Sequence, residues 1–274
     1  MIARNNIEDI SPLEDLTQLE FFDLSCNPIT DISSLHSLTS LTHLYLTDCS
    51  VKDLSPVYGL SSLEALYVSD NGISEINGVS KLKKLREIDV TANGLVDVSF
   101  IGELKKLEII CLSDNHIKNL NFLRSHTQNR ITRLEIGSNP IKDTSPLGSG
   151  LLFNNNHGVT FSATDLGTVD LSFLRDIDIF EELRLTGTDC SHLSQYVSGK
   201  QIDWLIVNHA ELSDISWLET VTKTWKVELA DNPGIKDLSV LKKMKNLQTV
   251  TVSEDMRPLT KALGNDISFS FEFV

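Results

Sequence analysis

The chain has little basic charge, few cysteines and no long apolar run, and each shortage bears on what kind of protein it is. Lysine and arginine total 24 against 38 aspartates and glutamates, a formal net charge of −14 over 274 residues. Phosphate binding needs a basic stripe, so this balance argues against nucleic acid or an anionic membrane and favours a neutral or basic partner. The four cysteines, Cys26, Cys49, Cys111 and Cys190, form no C-x-x-C pair, which argues against a disulfide framework and for a reduced chain. No stretch approaches the roughly 20 apolar residues of a membrane span. The opening residues, Met1 to Asn5, show no signal peptide. As given, the chain is therefore expected in the cytoplasm, with a secreted or cell-surface place as the alternative for a fragment.

Catalytic signatures are also lacking. There is no phosphate-cradling glycine loop, nucleophile elbow or H-E-x-x-H. Cys190-x-His192 is far short of a four-ligand metal site. The carboxylate pairs Glu181-Glu182 and Asp176-x-Asp178 read as solvated charges at a coil junction. No enzyme activity, cofactor or metal is expected.

What is present is a period. Leu19-x-x-Phe22-x-Leu24-x-x-Asn27-x-Ile29 is followed by Leu41-x-x-Leu44-x-Leu46-x-x-Cys49-x-Val51, and the frame returns from Leu63, Leu85 and Leu107. Those leading positions are spaced 22 residues apart. The pattern matches the template L-x-x-L-x-L-x-x-N/C-x-L, with Cys49 in an asparagine slot. Leu-x-Leu alternation sends two side chains inward and the residue between them outward, so each repeat opens with a short strand. The asparagine column (Asn5, Asn27, Asn71, Asn93, Asn115, Asn139) supplies side chains to bond the unpaired backbone of a buried turn. The return arm carries Asp9-Ile-Ser-Pro-Leu13 and its variants at 31–35, 53–57, 143–147 and 214–218. An Asp or Ser there is expected to act as an N-cap, with Pro in the first turn. A coil of 22 residues leaves room only for 3₁₀ turns. Leu16, Leu38, Leu60, Leu82 and Leu104 are expected to seal each coil. Ile2, Asn5 and Ile7 fall one period before Leu24, Asn27 and Ile29, so the chain begins inside a repeat: it is either a fragment or a protein with a bare start.

The Asn-x-Ile-x-Asp-Ile-Ser-Pro-Leu run resembles the 22-residue repeats of bacterial internalins and of the eukaryotic phosphatase-regulatory SDS twenty-two proteins. The resemblance implies a leucine-rich-repeat solenoid of about eleven repeats. It would be a curved, right-handed α/β coil with a concave parallel β-sheet and convex 3₁₀ and loop arms. It also implies that the concave face binds another protein. Internalins carry a helical N-terminal cap and a signal peptide, and the opening residues read as neither, so surface display is not the first expectation.

The solenoid is expected over residues 1–254, with an irregular stretch about 148–180 and a capping segment at 255–274. After Leu123 two residues are inserted, the run Gly148 to Gly158 is rich in Gly and Asn, and the asparagine column is interrupted at Thr164, Thr188 and Ala210 before Asn232. Drift in repeats that still stack is the reading preferred over a hinge. Alternating Phe269, Phe271 and Phe273 are expected to form a closing strand over the end of the core.

The same frame identifies the outward residues of the sheet. Phe21, His43, Tyr45 and Tyr67 fall on adjoining rungs beside Asp23, Glu87 and Asp89, an aromatic-acidic patch of the kind that anchors protein interfaces. Stacking that only stabilises the sheet is an equally good account of these rings. Trp204 with Ile206 forms a second candidate. The function expected is a non-enzymatic scaffold that binds a protein or peptide on the concave face. One alternative is the repeat domain of an internalin-like surface or secreted factor. Another is the targeting module of a larger enzyme.

Overall fold

The computed structural model describes residues 2–128, 130–148, 152–154 and 157–274. Backbone contacts divide it into two compact units, Met1–Ile141 and Lys142–Val274.

In the first unit six strands run parallel in chain order: β1 (Phe21–Asp23), β2 (His43–Tyr45), β3 (Ala65–Tyr67), β4 (Glu87–Asp89), β5 (Ile109–Cys111) and β6 (Arg133–Glu135). Their register never slips: Phe22 pairs with Leu44, Leu44 with Leu66, Leu66 with Ile88, Ile88 with Ile110 and Ile110 with Leu134. These central residues point inward and are at most 5% exposed. Each such side chain contributes about 1.5–3 kcal/mol by leaving water, and no single coil can bury its own face without a neighbour.

After each strand the chain turns sharply. The residue ahead of the asparagine column is left-handed at Cys26 (57°), Asp48 (52°), Asp70 (56°), Ala92 (52°), Asp114 (56°) and Ser138 (51°). That conformation costs a non-glycine residue roughly 1–2 kcal/mol. The asparagines offset it with hydrogen bonds. Asn93 Nδ2 donates to the carbonyls of Val68, Val90 and Thr91 at 3.0 Å each, while its Oδ1 accepts from Ile73 N–H at 2.8 Å. Asn71 and Asn115 repeat the pattern one coil away on either side. Cys49 does not reproduce it. Its thiol lies 3.6 Å from the Leu24 carbonyl, and Ile29 N–H, lacking a side-chain acceptor in the next coil, turns to the Asn27 carbonyl at 2.7 Å.

The arms are 3₁₀ turns, as the coil length requires. The capping differs from expectation. The N-cap position belongs to an apolar residue (Ile10, Ile32, Leu54), and the aspartate acts from one residue earlier. Asp9, Asp31 and Asp53 each accept the N–H two residues on at 2.8 Å. Such an Asx turn aims the carboxylate at the first helical N–H while the apolar residue fills the core. Leu38, Leu60, Leu82 and Leu104 are sealed at 1% exposure or less, but Leu16 is 48% exposed, with a neighbouring coil on one side only among the described residues. His126 takes the next place in this leucine column; it is buried, and its Nε2 lies 3.0 Å from the Ile101 carbonyl.

The second unit repeats the plan with β7 (Val159–Ser162), β8 (Ile179–Arg184), β9 (Gln201–Ile206), β10 (Lys226–Glu228), β11 (Thr249–Val252) and β12 (Ser270–Phe273), parallel in chain order. One arm becomes a short helix, α1 (Ser194–Val197), and a second helix, α2 (Arg257–Ala262), precedes β12. The last strand carries Phe271 and Phe273, and Phe269 directly precedes it; Phe269 and Phe271 meet edge-on at 5.4 Å, and Phe271 and Phe273 lie 6.3 Å apart.

The register corrects the reading of residues 159–166. Phe161 pairs with Leu183 and Ser162 with Arg184, so Phe161 and Ala163 are the inward pair. The register steps by one residue between Val159 and Thr160, and from Thr160 onward the inward positions lie two residues later than Val159 and Phe161. The left-handed residue is Asp165 (58°), which puts Leu166, not Thr164, in the asparagine column. Of the Gly/Asn-rich run, residues 149–151 and 155–156 lie outside the described residues.

Candidate protein-interaction surface

Parallel pairing in register stacks the outward residues into columns about 4.8 Å apart. In the first unit one column reads Asp23, Tyr45, Tyr67, Asp89, Cys111, Glu135 and the other Phe21, His43, Ala65, Glu87, Ile109, Arg133. The expected aromatic residues meet. Phe21 lies 5.9 Å from His43 and 5.1 Å from Tyr45, and Tyr45 stacks on Tyr67 at 4.8 Å with 15° between planes. Phe21 stays 42% exposed, and the other rings are half-buried. The ladder is held at one end by Tyr67 Oη, which donates to Glu87 Oε2 at 2.5 Å. Burial, this bond and the Glu87 charge push the Tyr67 phenol well above its usual value, so it remains a neutral donor.

The carboxylates beside the ladder are held by neutral donors. Asp23 accepts Ser25 N–H at 3.0 Å and Asp89 accepts Thr91 N–H at 2.9 Å. Asp89 has its pKa raised, chiefly by burial and against the Thr91 bond, which marks a carboxyl group short of solvent. Past it the column closes over. Cys111 is 5% exposed, and its thiol is pushed up by burial and by the Glu135 and Asp89 charges.

The second unit presents the other candidate pair, and the structure separates it. Trp204 is half-buried between two cations, with Lys226 Nζ 4.8 Å and the Arg184 guanidinium 5.8 Å from its ring. Ile206 is fully buried and offers nothing to a partner, which corrects its place among the candidate contacts. Its column neighbours are Arg184 and Glu228, long side chains that cover the small apolar group between them. Trp225 falls outside the outward columns read from the sequence, because it precedes β10 rather than lying on it. Its ring is 5.9 Å from Trp204 and it is 40% exposed, so it extends the surface. The signal was its place one residue before the outward column. The cations here are engaged: Arg184 with Glu182 at 3.0 Å and Lys226 with Glu228 at 3.2 Å.

Among the described residues no group of three or more His, Cys, Asp or Glu side chains is placed to hold a metal ion. Burial pushes the Cys190 thiol up to about 12, so it is a core group rather than a nucleophile. No helix among the described residues is long and apolar enough to cross a membrane.

With the columns in place, the comparisons are decisive on the fold. A family model described as leucine-rich repeats (two copies) matches residues 1–36 and 17–59. An internalin from Listeria monocytogenes superposes over 100% of this chain and 81% of its own, with a TM-score of 0.76 and 24% identity. Internalin C2 of the same bacterium is 31% identical over 58% of this chain and 69% of its own, with a TM-score of 0.54. The chain has the leucine-rich-repeat fold and resembles the internalins. The Arabidopsis receptor kinase HAESA, solved with the peptide hormone IDA and a co-receptor, covers 98% of this leucine-rich-repeat chain at 18% identity and a TM-score of 0.60. The chain spans 57% of that structure. Comparison with curated proteins returns no match.

Proposed function

We propose that this leucine-rich-repeat protein is a non-catalytic scaffold that binds a protein or peptide on the outward face of its parallel sheet. The observation that carries the reading is the continuous stack of Phe21, His43, Tyr45 and Tyr67, which keeps large aromatic surface in solvent on four residues of three adjacent strands. Rigid aromatic rings on a pre-formed sheet give up little conformational freedom on association, and Tyr anchors dominate interface energetics. Chains of the same fold have been solved with a peptide hormone, as in the HAESA complex.

The test is capture from the native host lysate by the wild-type chain and by a Phe21→Ala, Tyr45→Ala, Tyr67→Ala variant, with circular dichroism to show that the variant is folded. A protein retained by wild type and lost with the variant is expected. Identical captures would refute the assignment of the site.

A second reading follows from the likeness to internalin C2. In it the chain is the repeat domain of a surface or secreted bacterial factor. Cell fractionation with an antibody to the solenoid tests it, and a wholly cytoplasmic pool would count against it.

A further inference from the structure

The charge on the first unit's outward face is one-sided. Its two columns hold Asp23, Glu87, Asp89 and Glu135 against Arg133 alone, and Arg133 is bound to Glu135 at 2.5 Å. The left-handed row along one margin adds Asp48, Asp70 and Asp114 against Arg4 at its start. The row preceding the strands adds Glu20, Glu64 and Glu108, and its single cation, Arg86, is engaged by Glu108 at 2.9 Å.

Three of these carboxylates flank the aromatic ladder, and none has an ion-pair partner among the described residues. The hydrogen bonds of Asp23, Glu87 and Asp89 come from the neutral donors Ser25, Tyr67 and Thr91, and the one cation whose charge reaches Asp89, Arg133, is bonded to Glu135. The aromatic stack also ends at Tyr67. Tyr67 has Tyr45 against one side at 4.8 Å, and on its other side the next member of the column is Asp89. A ring face beside two unpaired carboxylates suits a cation: the quadrupole attracts it, the carboxylates neutralise it, and a planar guanidinium bonds a carboxylate by two parallel N–H groups.

We propose that the partner engages this face through a basic, extended peptide segment, an arginine or lysine lying against Tyr67 and pairing with Glu87 and Asp89. The inference rests on the scaffold reading and specifies the chemistry of its partner. The ladder from Phe21 to Tyr45 takes the apolar parts of the same segment, and the acidic margins steer its approach. The second unit does not share the property, because Glu182 and Glu228 already hold Arg184 and Lys226.

The experiment uses the whole chain and dye-labelled peptides that alternate glycine with arginine, with glutamine or with glutamate, read by fluorescence anisotropy at rising salt. The arginine peptide is expected to bind, the glutamate and glutamine peptides not, and added salt to weaken binding. The variants Glu87→Gln and Asp89→Asn keep the acceptors for Tyr67 Oη and Thr91 N–H while removing the charge, so the fold is preserved. Together they are expected to weaken the arginine peptide about tenfold, and Tyr67→Leu severalfold. Glu14→Gln with Glu75→Gln, on the arms, removes equal charge and is expected to change nothing. The inference is overturned if the glutamine peptide binds as well as the arginine one, if no basic peptide binds, or if the arm variant weakens binding as much as the face variant. A lysate partner still lost with the aromatic variant would then leave the scaffold reading standing while this one fails.

Discussion

Replacing Asn93 by Ala tests the physical account of the turn column most directly. The side chain makes four contacts: it accepts Ile73 N–H at 2.8 Å and donates to the carbonyls of Val68, Val90 and Thr91 at 3.0 Å each. An amide carries two hydrogens, so two of those carbonyls share one donor and the independent bonds number three. At about 1 kcal/mol net per buried bond, Asn93→Ala should cost about 3 kcal/mol. A partial escape exists in the molecule. Ile29, opposite Cys49, donates to the Asn27 carbonyl at 2.7 Å, and Ile73 turning to Asn71 in the same way would hold the cost to about 2 kcal/mol. The converse change, Cys49→Asn, should stabilise by about 1 kcal/mol by offering Ile29 N–H a side-chain acceptor in the next coil and by replacing the weak thiol contact to the Leu24 carbonyl with an amide donor. The assay is urea unfolding combined with amide exchange, because a repeat array opens coil by coil and the Ile73 amide reports locally. A loss below about 0.5 kcal/mol, or Ile73 protection unchanged in Asn93→Ala, would refute the ladder as a source of stability.

Two further predictions concern other parts of the first unit. A Cβ at Gly78 would stand 2.1 Å from the Tyr58 ring, so Gly78→Ala should destabilise by about 1–2 kcal/mol, and Tyr58→Ala in the same chain should remove most of that penalty in a double-mutant cycle. Burial holds the His126 imidazole below its usual value, the Lys105 charge acting in the same direction and the Ile101 carbonyl against it. The unfolded chain therefore takes up the proton first. The stabilising effect of the neutral ring is complete above pH about 6.5 and is lost as pH falls through the folded value. Urea midpoints should drop in that window for wild type and not for His126→Leu; equal pH slopes would contradict the assignment.

How much of this was legible beforehand follows from the period. Leu44, Leu66, Ile88 and Ile110 were placed inward, and Phe21, Tyr45 and Tyr67 outward on adjoining rungs, because alternation along a strand and a constant repeat length together determine both direction and neighbour. The asparagine column was likewise readable, since a buried turn must find partners for its backbone. What needed the tertiary structure is of another kind. Whether an outward side chain is exposed depends on its lateral neighbours, so Ile206 disappears between Arg184 and Glu228 while Phe21 stays in solvent. The pairing of β7 with β8 puts Leu166 in the place assigned to Thr164, because no motif in the irregular stretch before β7 marks where the frame resumes. The ion pairs that occupy Arg133 and Arg86, and so leave Asp23, Glu87 and Asp89 unpaired, join residues that only the three-dimensional register and side-chain rotamers bring together. The repeat sets which residues can share a face; packing between coils decides which of them remain free to meet a partner.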